Sequence, residues 1–331
     1  MRRLGEIALI TGYLAPLATH PGAFGLKDDA ALLTGLPAEG LVITSDGLVA
    51  GVHFFEDDDP GDVAYKALAV NVSDLAAKAA RPLAYTMTLA LAEAPGEDWA
   101  ARFAAGLRRA QEKFGIALLG GDTVSARGAW WLSITALGEA SPRGLVPRGG
   151  AKPGDLLFVS GTLGDSALGL ELRRRPETFG PQLLEAQRAF LRERYLYPEP
   201  RLALAPVLAG QASAAMDISD GLALDLSRMC AASGTSAEIS VSAIPLSEAS
   251  RNLVAADNAI IFAVLTGGDD YEILAAVSPQ SAQAFEAASI RAGVPVSEIG
   301  IICAGSEPPK FRAADGSTLD LPILGFEHFN A

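Results

Sequence analysis

The chain is predicted to fold as two mixed domains, an α+β N-terminal domain over residues 1–145 and an α/β C-terminal domain over residues 146–331. Three observations carry that expectation. The 331 residues exceed one compact domain of ordinary size and suit two. Residues 146–155 read Val-Pro-Arg-Gly-Gly-Ala-Lys-Pro-Gly-Asp, Pro/Gly punctuation that marks a boundary. On both sides of it, short apolar runs suited to strands alternate with segments of helical spacing.

In the first half, residues 3–14 read as a short amphipathic helix, followed by a Pro/Gly/His loop through Phe24. Residues 30–33 and 41–44 are short apolar runs between turn residues and are assigned as strands. Pro60 follows the acidic run Asp57-Asp58-Asp59 and suits the first turn of a helix continuing towards Ala80. Residues 85–92 alternate as a strand does. Residues 97–114 have helical spacing and stop at Gly115, and strands are predicted over 117–119 and 130–137.

Beyond the boundary, a strand is expected over 156–160 and helices over 165–174 and 181–193. A third helix is placed after Pro200, and a strand ends at 216–218. Residues 222–232 are helical and stop at Ser233-Gly234. Strands at 237–241, 272–277 and 299–303 alternate with a helix at 279–292. There is no long repeat. One short echo links the halves, Thr44-Ser45-Asp46-Gly47-Leu48 with Ile218-Ser219-Asp220-Gly221-Leu222.

Composition narrows the function. Half the residues are apolar, so two cores are well supplied, yet no run of 18 or more lacks polar breaks and a spanning helix is not expected. The N-terminus shows no secretory pattern, and a cytoplasmic protein is expected. A net charge of −13 opposes a broad footprint on nucleic acid or an anionic membrane. Cys230 and Cys303 form no C-x-x-C pair, and only three histidines are present, so neither a disulfide framework nor a zinc site is indicated.

The informative pattern is where aspartates fall. Asp28-Asp29 precede an expected strand and Asp46 follows one, while Asp74 interrupts an apolar helix. Asp122 follows Leu118-Leu119-Gly120-Gly121. Asp217 and Asp220 flank Ile218-Ser219, and Asp269-Asp270 follow Gly267-Gly268. Strand ends are where open sheets leave crevices, and the neighbouring Gly, Ser and Ala admit a phosphate or a hydrated ion. Each aspartate also has a plainer role: Asp-Gly is a common turn pair, Asp220 suits a helix cap, and Asp74 suits a solvated helix face. As a set, carboxylates gathered in a crevice repel one another unless divalent cations relieve them. Mg²⁺ takes oxygen ligands and keeps several waters beside substrate phosphates.

Other phosphate and hydrolase motifs are missing. There is no Gly-x-x-x-x-Gly-Lys-Ser/Thr loop, no His-Arg-Asp or Asp-Phe-Gly segment, and no Gly-x-Ser-x-Gly. Gly161-Thr162-Leu163-Gly164 opens a helix; it suits a helix-start turn or backbone contact with an anion. Arg148, in its Gly/Pro loop, suits either a phosphate clamp or a solvated loop.

The ordered motifs resemble the thiamine-monophosphate kinase family, within the wider group that includes aminoimidazole ribonucleotide synthetase and selenophosphate synthetase. The resemblance rests on Asp28-Asp29-Ala30-Ala31, Thr44-Ser45-Asp46 with Gly51-Val52-His53-Phe54, and Asn71-Val72-Ser73-Asp74-Leu75-Ala76-Ala77. It continues through Gly120-Gly121-Asp122-Thr123, Arg148 before Gly150-Ala151-Lys152-Pro153-Gly154-Asp155, Asp217-Ile218-Ser219-Asp220-Gly221-Leu222 and Gly267-Gly268-Asp269-Asp270-Tyr271-Glu272.

That resemblance implies an aminoimidazole ribonucleotide synthetase-like fold. Its N-terminal domain would bind ATP and magnesium and form a homodimer, and its C-terminal domain would complete the active-site cleft. It implies ATP as phosphoryl donor, several Mg²⁺ ions, and thiamine monophosphate as acceptor, giving thiamine diphosphate by direct in-line transfer. Carried over, Asp29, Thr44, Ser45, Asp46, Asp74, Asp122, Asp217 and Asp220 are magnesium ligands. Gly121, Asp122, Arg148 and Ser219 contact the nucleotide, and His53, Asp269 and Phe326 line the acceptor site. From the residues alone, His53 suits a strand histidine equally, and Phe326 suits either a core plug or a ring stacked on a heterocycle. The chain departs from the family at Lys27 and Asp269, which stand where Gly and Glu are usual. Gly47 replaces a common Thr, and Lys78-Ala79-Ala80 replaces Met-Gly-Ala. A sibling ATP-using enzyme with another substrate, or a magnesium–nucleotide binder without turnover, are the alternatives.

Overall fold

The computed structural model describes residues 4–27, 30–35 and 37–326. The chain divides into two compact units, Met1–Leu75 with Ala80–Pro142, and Ala76–Ala79 with Arg143–Ala331.

The first unit is built on a four-stranded sheet, in the order β1 (Leu41–Val49), β4 (Trp131–Glu139), β2 (Arg81–Leu91), β3 (Ala117–Ser125). Its pairs are antiparallel except β2 with β3. Strict alternation on β4 buries Leu132, Ile134 and Ala136 on one face, as a strand covered on one side requires. A short helix α1 (Glu6–Leu9) precedes the sheet, and α2 (Pro60–Ala77) and α3 (Glu97–Phe114) are the unit's long helices. The amphipathic α3 buries Phe103, Leu107 and Phe114 and stops at Gly115 in the left-handed conformation, the usual helix terminator. By contrast α2 is apolar nearly all round, with Ala64, Leu68, Val72 and Leu75 fully buried, the mark of an interior helix.

The second unit carries a seven-stranded sheet in the order β11-β10-β7-β9-β5-β8-β6. These strands are β5 (Leu156–Ser160), β6 (Ala212–Asp217), β7 (Ser236–Ser240), β8 (Ile273–Val277), β9 (Val296–Cys303), β10 (Lys310–Arg312) and β11 (Thr318–Leu319). Only β7 and β10 pair in parallel. The helices are α4 (Asp165–Arg174), α5 (Pro176–Phe179), α6 (Glu185–Leu196), α7 (Ala205–Gln211), α8 (Leu222–Ser233), α9 (Glu248–Ala256), α10 (Ile260–Thr266) and α11 (Pro279–Arg291). The strand period of two sends Leu157 and Val159 into one core with Leu168 and Leu226, and Phe158 into another with Phe285 and Leu208. Both faces of β5 and β8 are therefore covered, which is why they read as unbroken apolar runs.

Several expectations are corrected. Residues 30–33 form no strand; Leu32 is 55% exposed and its amide donates to the Gly22 carbonyl instead of to a ladder. Between 242 and 271, where no element was expected, the chain forms α9 and α10. Asp46 and Asp122 lie inside β1 and β3, not beyond their ends. Just past the end of α2, Ala79 takes a left-handed φ of 58°, a conformation unusual for a residue other than glycine.

Candidate active site

In the first unit the candidate ligands gather where β1 meets α2. The Thr44 hydroxyl donates to the Asp74 carboxylate. The Asp46 amide donates to Asn71 Oδ1 at 3.1 Å, and the Asn71 amide donates back to the Ala67 carbonyl at 3.0 Å. Asn71 is fully buried on an apolar helix; that mismatch was the signal for a role the sequence reading did not assign. Ser45 sits one step along β1 and bonds the Ile134 carbonyl at 3.2 Å.

Gly121 and Asp122 stand at the other edge of the same sheet. Asp46 pairs with Ile134, Ile134 with Met87, and Met87 with Gly121. Three strand spacings therefore separate Asp46 from Gly121, about 14 Å across the sheet. Gly121 has φ 153°, and a Cβ there would lie 1.8 Å from the Met87 carbonyl oxygen. Only glycine fits that approach. The Asp122 side chain is exposed and makes no hydrogen bond or ion pair among the described residues.

His53 lies in the turn after β1, closed by the Ala50–Phe54 bridge. Its Nδ1 accepts from the Val49 amide at 3.0 Å, so the neutral ring carries its proton on Nε2. Asp29 lies outside the described residues.

In the second unit three loops converge. Asp217 ends β6 and is nearly buried. The amides of Ser219 and Asp220 both donate to Asp225 Oδ2, at 3.0 and 2.9 Å, and Arg228 bonds Asp220 and Asp225 together. Burial pushes the Asp225 carboxyl up to about 6 despite these donors. The Ser219 carbonyl accepts from the Asp269 amide at 2.8 Å, and the Asp220 carbonyl accepts from the Phe326 amide at 3.0 Å. Asp217, Ser219, Asp220, Asp269 and Phe326 are thus brought together. Arg148 is exposed on its own loop, whose Gly150 amide donates to Ser233 Oγ, and it has no bond or ion pair among the described residues.

Beneath these loops lies a buried charged network that sequence reasoning missed. Glu272 is fully buried and accepts from Ser160 at 2.6 Å, Arg194 at 2.9 Å and Arg201 at 2.7 Å. Asp270, 1% exposed, accepts from the Gly164 amide at 2.8 Å through one oxygen, while its other oxygen has no partner among the described residues. Asp165 is held by Thr162, Ser247 and Ser250. These bonds settle the two readings of residues 161–164. The amides of Gly161, Leu163 and Gly164 donate to Pro295, Pro245 and Asp270, so these three amides of the turn are used within the chain. A Cβ at Gly161 would come 2.3 Å from Glu272 Oε1.

The donors suit magnesium. They are carboxylate and hydroxyl oxygens, the hard ligands Mg²⁺ prefers. Among the described residues no three carboxylates, histidines or cysteines are close enough to enclose an ion.

No helix among the described residues is long and apolar enough to cross a membrane. Two family models match, AIR synthase related protein N-terminal domain over residues 27–140 and C-terminal domain over residues 152–308. A thiamine-monophosphate kinase of Caulobacter vibrioides is 44% identical over 301 residues, covering 89% of this chain and 83% of its own. The crystal structure of thiamine-monophosphate kinase from Stenotrophomonas maltophilia K279a has a TM-score of 0.82 at 37% identity, over 96% of this chain and 99% of that one. AaThiL complexed with AMPPCP and TMP has a TM-score of 0.77 at 31% identity, over 99% of both chains. With most of its length matched in sequence and in fold, the chain belongs to the thiamine-monophosphate kinase family of AIR synthase related proteins.

Proposed function

We propose that the chain phosphorylates thiamine monophosphate to thiamine diphosphate at the expense of ATP, with several Mg²⁺ ions. The observation that carries the reading is that each unit gathers oxygen ligands of the family's motifs, Thr44 bonded to Asp74 near Asp46 in the first and Asp217 with Asp220 in the second. A relative at 31% identity is complexed with AMPPCP and TMP.

A phosphate oxygen of the acceptor attacks the γ-phosphorus of ATP. A new P–O bond forms, the bond to the β,γ-bridging oxygen breaks, and ADP leaves with that electron pair. The attacking oxygen is already anionic, so no general base is assigned, and alignment with charge neutralisation supplies the rate. Asp29, Thr44, Ser45, Asp46, Asp74, Asp122, Asp217 and Asp220 would hold magnesium, which when bound neutralises the triphosphate and withdraws charge from the reacting phosphoryl group. Arg148 and the backbone at Gly121 and Ser219 orient the nucleotide, Arg148 as a bidentate donor. His53, Asp269 and Phe326 position the acceptor. The reading includes a homodimer: β1 and β3 are opposite edges of one sheet, and a second copy is what would bring an Asp46 to an Asp122.

The deciding experiment is a turnover assay with ATP, Mg²⁺ and thiamine monophosphate that detects thiamine diphosphate, with Asp122→Ala as control. Product that vanishes in the variant is expected. Well-folded wild-type protein that binds Mg–ATP yet makes no thiamine diphosphate overturns the reading.

A further inference from the structure

In the second unit the proposed ligand Asp220 already has a cation beside it. Arg228, in the second turn of α8, donates through Nη1 to Asp220 Oδ2 and, at 3.0 Å, to Asp225 Oδ1. Both bonds come from one nitrogen. A guanidinium fully committed to a carboxylate gives it two parallel N–H bonds from its fork. Arg228 makes no other hydrogen bond among the described residues, and its side chain is 37% exposed. Its reach to Asp220, ahead of the first helical residue Leu222, puts its charge at the end of the helix where the dipole disfavours a cation. The carboxylates are therefore what hold it there.

The two carboxylates depend on Arg228 unequally. Asp225 is fully buried; its Oδ2 accepts from the amides of Ser219 and Asp220, and its Oδ1 accepts from Arg228. Asp220 is 27% exposed at its side chain, and its Oδ1 has no hydrogen bond among the described residues. No other cation pairs with either acid among the described residues. A partly exposed pair such as Arg228–Asp220 is weak. A divalent cation bound at Asp220 repels a guanidinium held by the same carboxylate. Asp225 still needs a countercharge because it is buried, so Arg228 keeps one partner when it loses the other.

We propose that Arg228 is an internal counter-ion that holds Asp220 while no metal is bound, yields that carboxylate to an incoming divalent cation and stays on Asp225. The inference rests on Asp220 being a magnesium ligand and adds the residue that sets the affinity of its site. Arg228 is thus a positioning residue: it keeps the loop of Ser219 and Asp220 ordered before the metal arrives, at the expense of tight metal binding.

Mn²⁺, which takes the same oxygen ligands, can be titrated into the nucleotide-free full chain and the free ion counted by its EPR signal. The sites lost in Asp220→Asn are the ones compared. Arg228→Gln, at a partly exposed position, is expected to bind Mn²⁺ there about tenfold more tightly, as removal of a neighbouring positive charge would. Arg228→Lys keeps the charge and should stay near wild type. Melting temperatures give a second readout: Arg228→Gln should fall below wild type without metal and recover towards it in Mg²⁺. Equal or weaker Mn²⁺ binding in Arg228→Gln overturns the proposal, as does a lysine variant that tightens as much as the glutamine one. A melting gap that Mg²⁺ leaves unchanged would make Arg228 a structural brace only, and overturns it too. If Asp220→Asn loses Mn²⁺ while Arg228→Gln binds it as wild type does, the counter-ion role fails and the metal reading stands. If Asp220→Asn binds Mn²⁺ as wild type does, Asp220 leaves the ligand set and the inference falls with it.

Discussion

Thr44 on β1 donates its hydroxyl to the carboxylate of Asp74 on α2, a bond that ties two candidate magnesium ligands across the strand–helix junction. Thr44→Val keeps the shape of the side chain and removes the donor and the ligand oxygen together. Both positions are half-buried, so the stability change should be small, about 1 kcal/mol for one hydrogen bond. The expected signature is a loss of turnover of about tenfold or more at limiting Mg²⁺, partly recovered by added Mg²⁺, with Thr44→Ser near wild type. A Thr44→Val enzyme with wild-type magnesium dependence would remove Thr44 from the ligand set.

Glu272 closes the motif Gly-Gly-Asp-Asp-Tyr-Glu, yet it points into the protein, between the guanidinium groups of Arg194 and Arg201. With Glu272 fully buried and the arginines 10% and 19% exposed at their side chains, neutralising the acid removes the ion-pair partner of Arg194 and leaves Arg201 only the half-exposed Glu199 at 3.6 Å. Glu272→Gln is therefore expected to destabilise by about 3–5 kcal/mol, the cost of breaking a buried pair from one side. Urea unfolding measures it, and a shift below about 1 kcal/mol would show that water already screens these charges.

How far the sequence carried the fold depended on how local the determining forces are. The helix at 97–114 was legible to the residue because amphipathic spacing and a left-handed Gly115 act within one element. The α10 helix was not, since seven nearly unbroken apolar residues have no period to distinguish helix from strand. Residues 30–33 failed as a strand because an apolar run needs a pairing partner that no local pattern reveals. At the candidate site, the motifs located Asp46, Asp74, Asp217 and Asp220, but not what holds them. Arg228 lies only three residues beyond Asp225 and was within reach of helical-spacing arguments. The contacts of Glu272 with Arg194 and Arg201 span more than 70 residues and were beyond any such argument.

Gly120 and Gly121 look interchangeable in sequence and differ sharply in the fold. A Cβ at Gly120 meets nothing within 4 Å, whereas one at Gly121 would collide with the Met87 backbone. Gly121→Ala forces β3 to shift beside Asp122 and is expected to cost about 1–3 kcal/mol, the range for backbone strain, together with most of the turnover. Gly120→Ala should fold and turn over near wild type. Equal behaviour of the two variants, by thermal melting and assay, would show that β3 relaxes freely at this edge.

Asp270 links pH to stability. Burial, with the nearby carboxylates of Asp165 and Glu272, pushes its carboxyl well above the usual range, while the Gly164 amide and Arg194 pull the other way and lose. In the unfolded chain the same group ionises near its ordinary value of 3.8. As pH rises from there, the unfolded state releases this proton and the folded state keeps it. The unfolded state then binds fewer protons, so this group's contribution to stability falls with rising pH until the folded carboxyl ionises. Asp270→Asn still accepts from the Gly164 amide and cannot titrate. Melting temperatures from pH 4.5 to 8 should therefore show the variant gaining steadily on wild type. Asp270→Leu, which strands the Gly164 amide, should lose about 1–3 kcal/mol at every pH. Parallel wild-type and Asp270→Asn curves would mean that the buried carboxyl ionises at its ordinary pH, which its packing between Asp165 and Glu272 argues against.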